Sequence, residues 1–313
     1  MSSPDIKVIF LLSYDYEYIK NSLPCIYVEA TKILVSIDVN RVSWAGNKYK
    51  FDETIIEWIK EYDSESKIQF FEDNFYMPEN TPMQNETRQR QLSADYLGKG
   101  GWTIQLDVDE YFIDFDKFVK LLISKNKYLV NPEKYPIAIA VNWLTLFKKD
   151  LNGYFFIDRT KTVLKIATNN PEYQYARNLF YKTYCTRFIL IHQSWAREEK
   201  EIVLKVNNWG HKGDIINPDE YIEFWKSINI NNYKSVLNFS PFNPKSDFPC
   251  LGYIKCKTIP ELIKNFNNIP FKLDRPYLAK KNLIQSLLCF DFLKAIHKYY
   301  VKLLSANSYN SSK

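Results

Sequence analysis

Asp107, Asp109 and Glu110 stand at spacings of two and one, directly after the run Trp102-Thr103-Ile104-Gln105-Leu106. Three carboxylates this close repel one another unless positive charge lies among them. Hard divalent ions such as Mn2+ or Mg2+ take oxygen ligands and carry phosphates, so metal-assisted phosphate chemistry is the first expectation. If residues 104–107 form a buried strand, the acids lie in the loop at its carboxyl end, where open α/β sheets bind ligands. A bare acidic pair of this spacing also describes a solvated loop, so the flanking elements must decide. A loop carboxylate packs little, and Asp109→Ala is expected to leave the fold intact.

The upstream segment is specific. Thr81-Pro82-Met83-Gln84 combines an N-cap threonine, a proline in the first turn and a glutamine at the capping-box position. A helix is expected from there to about Leu97, stopping at Gly98, with Gly100-Gly101 leading into the strand. Gln84, Arg88, Gln91 and Asp95 fall on one polar face of it, and Arg90 lies close by.

Earlier in the chain, strands are expected at 6–12, 32–38 and 67–71, and helices before Pro24 and over 51–62. Later, a helix is expected over 114–124 and a central strand over 136–143. This alternation predicts an α/β fold with a mostly parallel central sheet and helices on both faces. Residues 153–192 read as strand-rich, with an Asn/Tyr/Arg-rich loop at 169–177. Residues 194–209 read as a helix with Ser194 at its N-cap.

A helix carrying Arg and Gln, a glycine turn and a strand ending in Asp-Val-Asp-Glu resemble the donor-binding half of family-2-type glycosyltransferases of the GT-A fold. The later Ile191-His192-Gln193-Ser194-Trp195-Ala196-Arg197 and Asn208-Trp209-Gly210-His211 are similar to the closing motif of bacterial polysaccharide glycosyltransferases with an Asp-x-Asp-Glu signature. The resemblance covers roughly the first two-thirds of the chain. It implies a GT-A-like, Rossmann-type domain over 1–215 and a helical C-terminal extension over 216–313.

It also implies metal binding by Asp107, Asp109 and His192, with Mn2+ or Mg2+ as the cofactor and a nucleotide sugar, UDP-linked first of all, as the donor. By the same resemblance Asp107 also contacts the ribose, Asp38 the nucleobase and Arg88 a phosphate or base. The acceptor would be a polysaccharide or a lipid-linked glycan of a bacterial surface, such as a capsule or lipopolysaccharide. The loop Ser13-Tyr14-Asp15-Tyr16-Glu17 lacks the usual asparagine-containing form. His211 is the other histidine available as a ligand, and His297 reads as structural. Inversion needs a carboxylate to take the acceptor's proton. Glu198 leads the candidates, followed by Asp158, with Glu172 and Glu199 behind.

A sugar nucleotidyltransferase is a second reading, but it calls for a Gly-rich N-terminal loop and residues 6–18 contain no glycine. A non-catalytic carbohydrate-binding protein is a third. The 23 Tyr, 21 Phe and 7 Trp suit sugar stacking and equally reflect a Lys-, Asn-, Ile- and Tyr-rich composition. A net charge of +6 without a dense basic block gives no nucleic-acid track. Five scattered cysteines suggest neither a disulfide framework nor a zinc site. With no leader and no long apolar run, a cytoplasmic protein is expected. The stripe Ile284, Leu287, Leu288, Phe292, Ile296, Tyr299 and Leu303, flanked by lysines, describes a basic amphipathic helix that either packs on the catalytic domain or rests on the inner face of the membrane.

Overall fold

In β1 (Ile6–Leu12) every residue is buried. Its alternating side chains enter two cores: Val8, Phe10 and Leu12 on one face, Ile9 and Leu11 on the other. This computed structural model describes residues 3–215, 217–242, 244–269, 271 and 273–287. The first half runs α1 (Ile19–Ile26), β2 (Lys32–Asp38), α2 (Thr54–Tyr62), β3 (Ile68–Asp73), α3 (Pro82–Leu97), β4 (Trp102–Asp107), β5 (Glu110–Phe112) and α4 (Phe115–Ile123). Next come β6 (Ile137–Lys149), β7 (Gly153–Asp158), β8 (Val163–Thr168), β9 (Lys182–His192) and α5 (Glu199–Asn208). The described chain closes with α6 (Pro218–Ser227), β10 (Cys250–Lys255), α7 (Ile259–Lys264) and α8 (Arg275–Leu287).

Strands β3, β2, β1 and β4 are adjacent in that order and parallel. Beyond β4 the sheet changes character. β8 is antiparallel to β4 and to β6, β7 is antiparallel to β6, and β10 to β7. β9 runs parallel to β6 and antiparallel to β5. The sheet is therefore mixed, which corrects the expectation of a mostly parallel one. Apolar runs such as 137–141 suit a buried strand of either direction, and only long-range pairing chooses.

Helix α3 forms as its ends dictate. The Thr81 hydroxyl accepts the Gln84 amide at 3.3 Å, and the Gln84 side chain accepts the Thr81 amide at 2.8 Å. At the other end the Lys7 ammonium donates to the carbonyls of Leu97, Gly98 and Lys99 at 2.8–3.2 Å. A cation there suits the negative end of the helix dipole. Gly101, at φ 72°, lets the chain cross Asp5 closely, since a Cβ would lie 2.5 Å from the Asp5 carbonyl. These contacts fix the direction in which β4 delivers its acidic loop.

The segment after residue 215 is not purely helical. It supplies β10 to the sheet, and Ile222, Trp225, Phe239 and Leu251 join Phe147, Phe155 and Trp195 in one core. Helix α8 covers part of β9: the Asn282 amide group accepts from the Cys185 N–H and donates to its carbonyl, both at 2.8 Å. The expected stripe beyond Leu287 and His297 lie outside the described residues. Among the described residues no helix is long and apolar enough to cross a membrane, and Cys25, Cys185, Cys250 and Cys256 are free.

Candidate functional site

β1 has its neighbours β2 and β4 on opposite sides, so the chain's winding reverses beside β1. Ligand crevices open at such a reversal, outside the carboxyl ends of the strands. The loop after β1 brings Tyr14 and Asp15 there, and the loop after β4 brings Asp107 to Glu110. Two guanidinium groups organise this corner: one braces the β4 loop and the other ties it to the β1 loop.

Arg177 is the first. From the loop between β8 and β9 its Nη1 donates to the Gln105 carbonyl at 3.0 Å and to Glu110 Oε2 at 2.8 Å. Its Nη2 donates to Asp107 Oδ2 at 2.8 Å and Glu110 Oε1 at 2.7 Å. Helix α3 clips that loop in place, because Thr87 and Gln91 accept the amides of Ala176 and Tyr173. Arg90, on the same helix, joins Glu86 to Asp107, donating to Asp107 Oδ1 at 2.7 Å. Glu110 also accepts the Asp107 amide at 2.9 Å, closing the turn Asp107 to Glu110 on itself.

Arg197 is the second. Its Nη2 donates to Asp15 Oδ2 at 3.0 Å and to Asp109 Oδ2, so it spans the β1 and β4 loops. Lys205 of α5 approaches the same Asp109 oxygen at 3.5 Å, and His192 Nε2 faces it at 3.6 Å. The His192 ring stacks on Trp143, at 4.5 Å between centroids, and Trp143 Nε1 donates to Glu110 at 3.2 Å.

The electrostatics follow from this pairing. Burial alone would raise the pKa of Asp107, but Arg177 and Arg90 outweigh it and hold it below the carboxylate range. Burial likewise opposes the charge on Asp109, and Lys205 foremost, with Arg197, keeps it far below that range. For Glu110 the balance goes the other way: burial, aided by the charge of Asp107, outweighs the pull of Arg177 and pushes it up to about 7. Burial lowers His192 to about 4, so its ring is neutral near pH 7, with Asp109 opposing the shift. Lys205 is lowered by burial and then by the charge of Arg197.

The structure brings Asp107, Asp109 and His192 together, as the resemblance implies, and adds Glu110. It does not bring the other expected residues to them. Asp38 is buried, and its two oxygens accept the amides of Asn40, Val42 and Phe75, fixing the turn after β2. Arg88 donates to the carbonyls of Asn74 and Phe75. Glu198 is exposed and takes the N-cap of α5 in place of the expected Ser194, four residues further on; its own amide donates to Glu201. Ser194 instead sits in a turn at φ 23°. Asp158 ends β7 beside Arg159. Glu172 accepts the Tyr181 hydroxyl, Glu199 pairs with Lys226, and His211 with Asp214.

Arg177, Arg197 and Lys205 are the residues that sequence reasoning missed. One of them carried a signal. Ile202, Lys205, Val206 and Trp209 share one face of α5, so a lysine interrupts an otherwise apolar stripe.

A divalent ion is the group that the acidic trio would call for. Asp109, the expected principal ligand, already meets two cations at one oxygen, and a third positive centre there would stand within about 4 Å of both. At an effective dielectric of 20 that repulsion is about 8 kcal/mol for each pair of charges 2 and 1. Among the described residues no group of three or more His, Cys, Asp or Glu is arranged to hold a metal. The residues as placed do not fit the ion.

No family model matches the chain, and no curated protein matches it. Among solved structures the chain is similar to the crystal structure of mannose-6-phosphate isomerase from Helicobacter pylori, at 13% identity and a TM-score of 0.28. That alignment spans 51% of this chain and 60% of the other, and a likeness this slight carries no argument about fold or activity.

Proposed function

We propose that the protein transfers a sugar from a nucleotide-sugar donor, UDP-linked first of all, to a polysaccharide or lipid-linked glycan acceptor, on a GT-A-like arrangement of β1 to β4. One observation carries this reading: Asp15 after β1 and Asp109 after β4 meet at the reversal of the sheet, joined through Arg197. A crevice at that position receives the nucleotide end of a ligand in open α/β sheets. Asp107 keeps 29% of its side chain exposed and is the carboxylate of the Asp107 to Glu110 cluster best able to touch a donor.

Arg177 and Arg90 hold that carboxylate in one orientation and keep it ionised. Trp143 offers an aromatic edge beside it, between Glu110 and His192. An inverting transfer would also need a base for the acceptor hydroxyl. Glu198 and Asp158 remain the proposed candidates, although no hydrogen bond or ion pair joins either to Asp107 or Asp109 among the described residues. No step is routed through Mn2+ or Mg2+. Contact with an anionic membrane surface belongs to the same proposal, since α8 exposes Leu283, Ile284 and Leu287 beside Lys280.

The test is a thermal-shift screen of nucleotide sugars with EDTA, Mg2+ or Mn2+, followed by an acceptor assay with the sugar that stabilises. A specific donor raises the melting temperature by an amount that grows with the logarithm of its concentration relative to its Kd, and Asp107→Asn removes the rise. If no nucleotide sugar stabilises the protein under any of the three conditions, the reading falls.

A further inference from the structure

Lys205 is a buried cation without the acceptors of Lys7, the other buried lysine among the described residues, or of the half-buried Lys148 and Lys165. Lys7 donates to three carbonyls at 2.8–3.2 Å, and Lys148 to the carbonyls of Lys226 and Ile228 at 2.6 and 2.7 Å. Lys165 has one short contact, to the Leu179 carbonyl at 2.6 Å. Lys205 reaches one oxygen, Asp109 Oδ2, at 3.5 Å, and that oxygen is already the acceptor of Arg197. Its other neighbour is the Trp209 ring, 5.6 Å from centroid to ammonium. Of three ammonium hydrogens, two have no acceptor among the described residues. A buried charge left so is costly unless a ligand completes it.

Two further polar atoms around it are also unpartnered. The Nε of Arg197, whose side chain is 1% exposed, has no partner, and neither does Nδ1 of His192. Arg197 and Lys205 together balance Asp15 and Asp109, so this corner offers a ligand unsatisfied donors in a site whose own charges cancel. The unsatisfied donors lie at the carboxyl end of β4, where a divalent ion was expected and does not fit.

We propose that Lys205 binds the diphosphate of the ligand directly, in the place a divalent ion would otherwise take, with Arg197 as a positioning residue that holds Asp109 and Asp15. The ligand chemistry is a pair of linked phosphoryl groups. It rests on the proposed function only for the nucleoside attached to them. Lys205 then supplies hydrogen bonds to phosphoryl oxygens and offsets the charge gathered on the diphosphate when its bond to a sugar breaks.

Calorimetric titration of the full chain with inorganic pyrophosphate and with UDP, both in EDTA, tests this. The expected result is binding of both, with Lys205→Met weakening each by tenfold or more and Lys205→Arg staying within about threefold of the native chain. Circular dichroism shows whether the methionine variant folds. If it does not, the arginine variant alone decides, and a loss of tenfold or more in it counts against the proposal. Binding that requires Mn2+, or that is unchanged in a folded Lys205→Met, overturns it. Pyrophosphate binding lost with Lys205, in a protein that no nucleotide sugar stabilises, would keep this site and remove the glycosyltransferase reading.

Discussion

Arg177 and Glu110 form a two-pronged ion pair, 2.7 and 2.8 Å long, between residues 67 positions apart. Glu110 is fully buried, and the same guanidinium also holds Asp107. The acidic loop after β4 is therefore kept in shape by a residue from the loop before β9.

Replacing Arg177 by methionine leaves two carboxylates facing each other without their principal cation. The expected loss of stability is about 3–5 kcal/mol, read from urea unfolding. Arg177→Lys recovers only part of it, because an ammonium cannot satisfy the fork of four acceptors. A loss below about 1 kcal/mol in the methionine variant would show that the pair does not organise the loop.

Asp109→Ala tests a changed expectation. As a loop carboxylate it was expected to matter little for folding, yet it is 2% exposed and answers Arg197 and Lys205. Its removal leaves two buried cations facing each other, and destabilisation of several kcal/mol is expected. Equilibrium unfolding of Asp109→Ala within about 0.5 kcal/mol of the native chain would restore the original view.

His192 gives a pH dependence of definite sign. Its pKa is lowered to about 4 in the folded chain, chiefly by burial, against 6.5 when unfolded. The unfolded chain binds the extra proton between those values, so this contribution to stability is present above pH 6.5 and is lost as pH falls toward 4. From pH 7 to pH 5 the native chain should lose about 2 kcal/mol more than His192→Asn. Parallel pH profiles for the two proteins would show that the ring is not buried as a neutral base.

Asn282 closes the exposed backbone of β9 at Cys185 with two hydrogen bonds. Asn282→Ala should cost about 1–3 kcal/mol and speed hydrogen exchange at the Cys185 amide. Unchanged exchange there would mean that α8 does not shield the strand.

The local elements were legible in the chain. The capping box of Thr81 and Gln84, the stop at Gly98 and the strand Trp102–Asp107 all came from neighbouring residues, and the structure has them at those positions. So were the strands Ile6–Leu12 and Lys32–Asp38, because runs of β-branched and large apolar side chains suit a strand buried on both faces. Strand direction was not legible. Residues 137–149 and 153–158 have the same apolar character whether their partners run with or against them.

The site divided in the same way. Type and spacing singled out Asp107, Asp109 and Glu110, since carboxylates so close must share compensating charge. What compensates them was decided by tertiary structure. Arg197 and Lys205 lie 88 and 96 residues from Asp109 in sequence. Only the crossing of β9 beside β5, which sets α5 against the β4 loop, turns a metal-like acidic motif into a cluster neutralised by the chain's own cations. A sequence states which charges exist, and their energies depend on distance and burial, which the fold alone supplies.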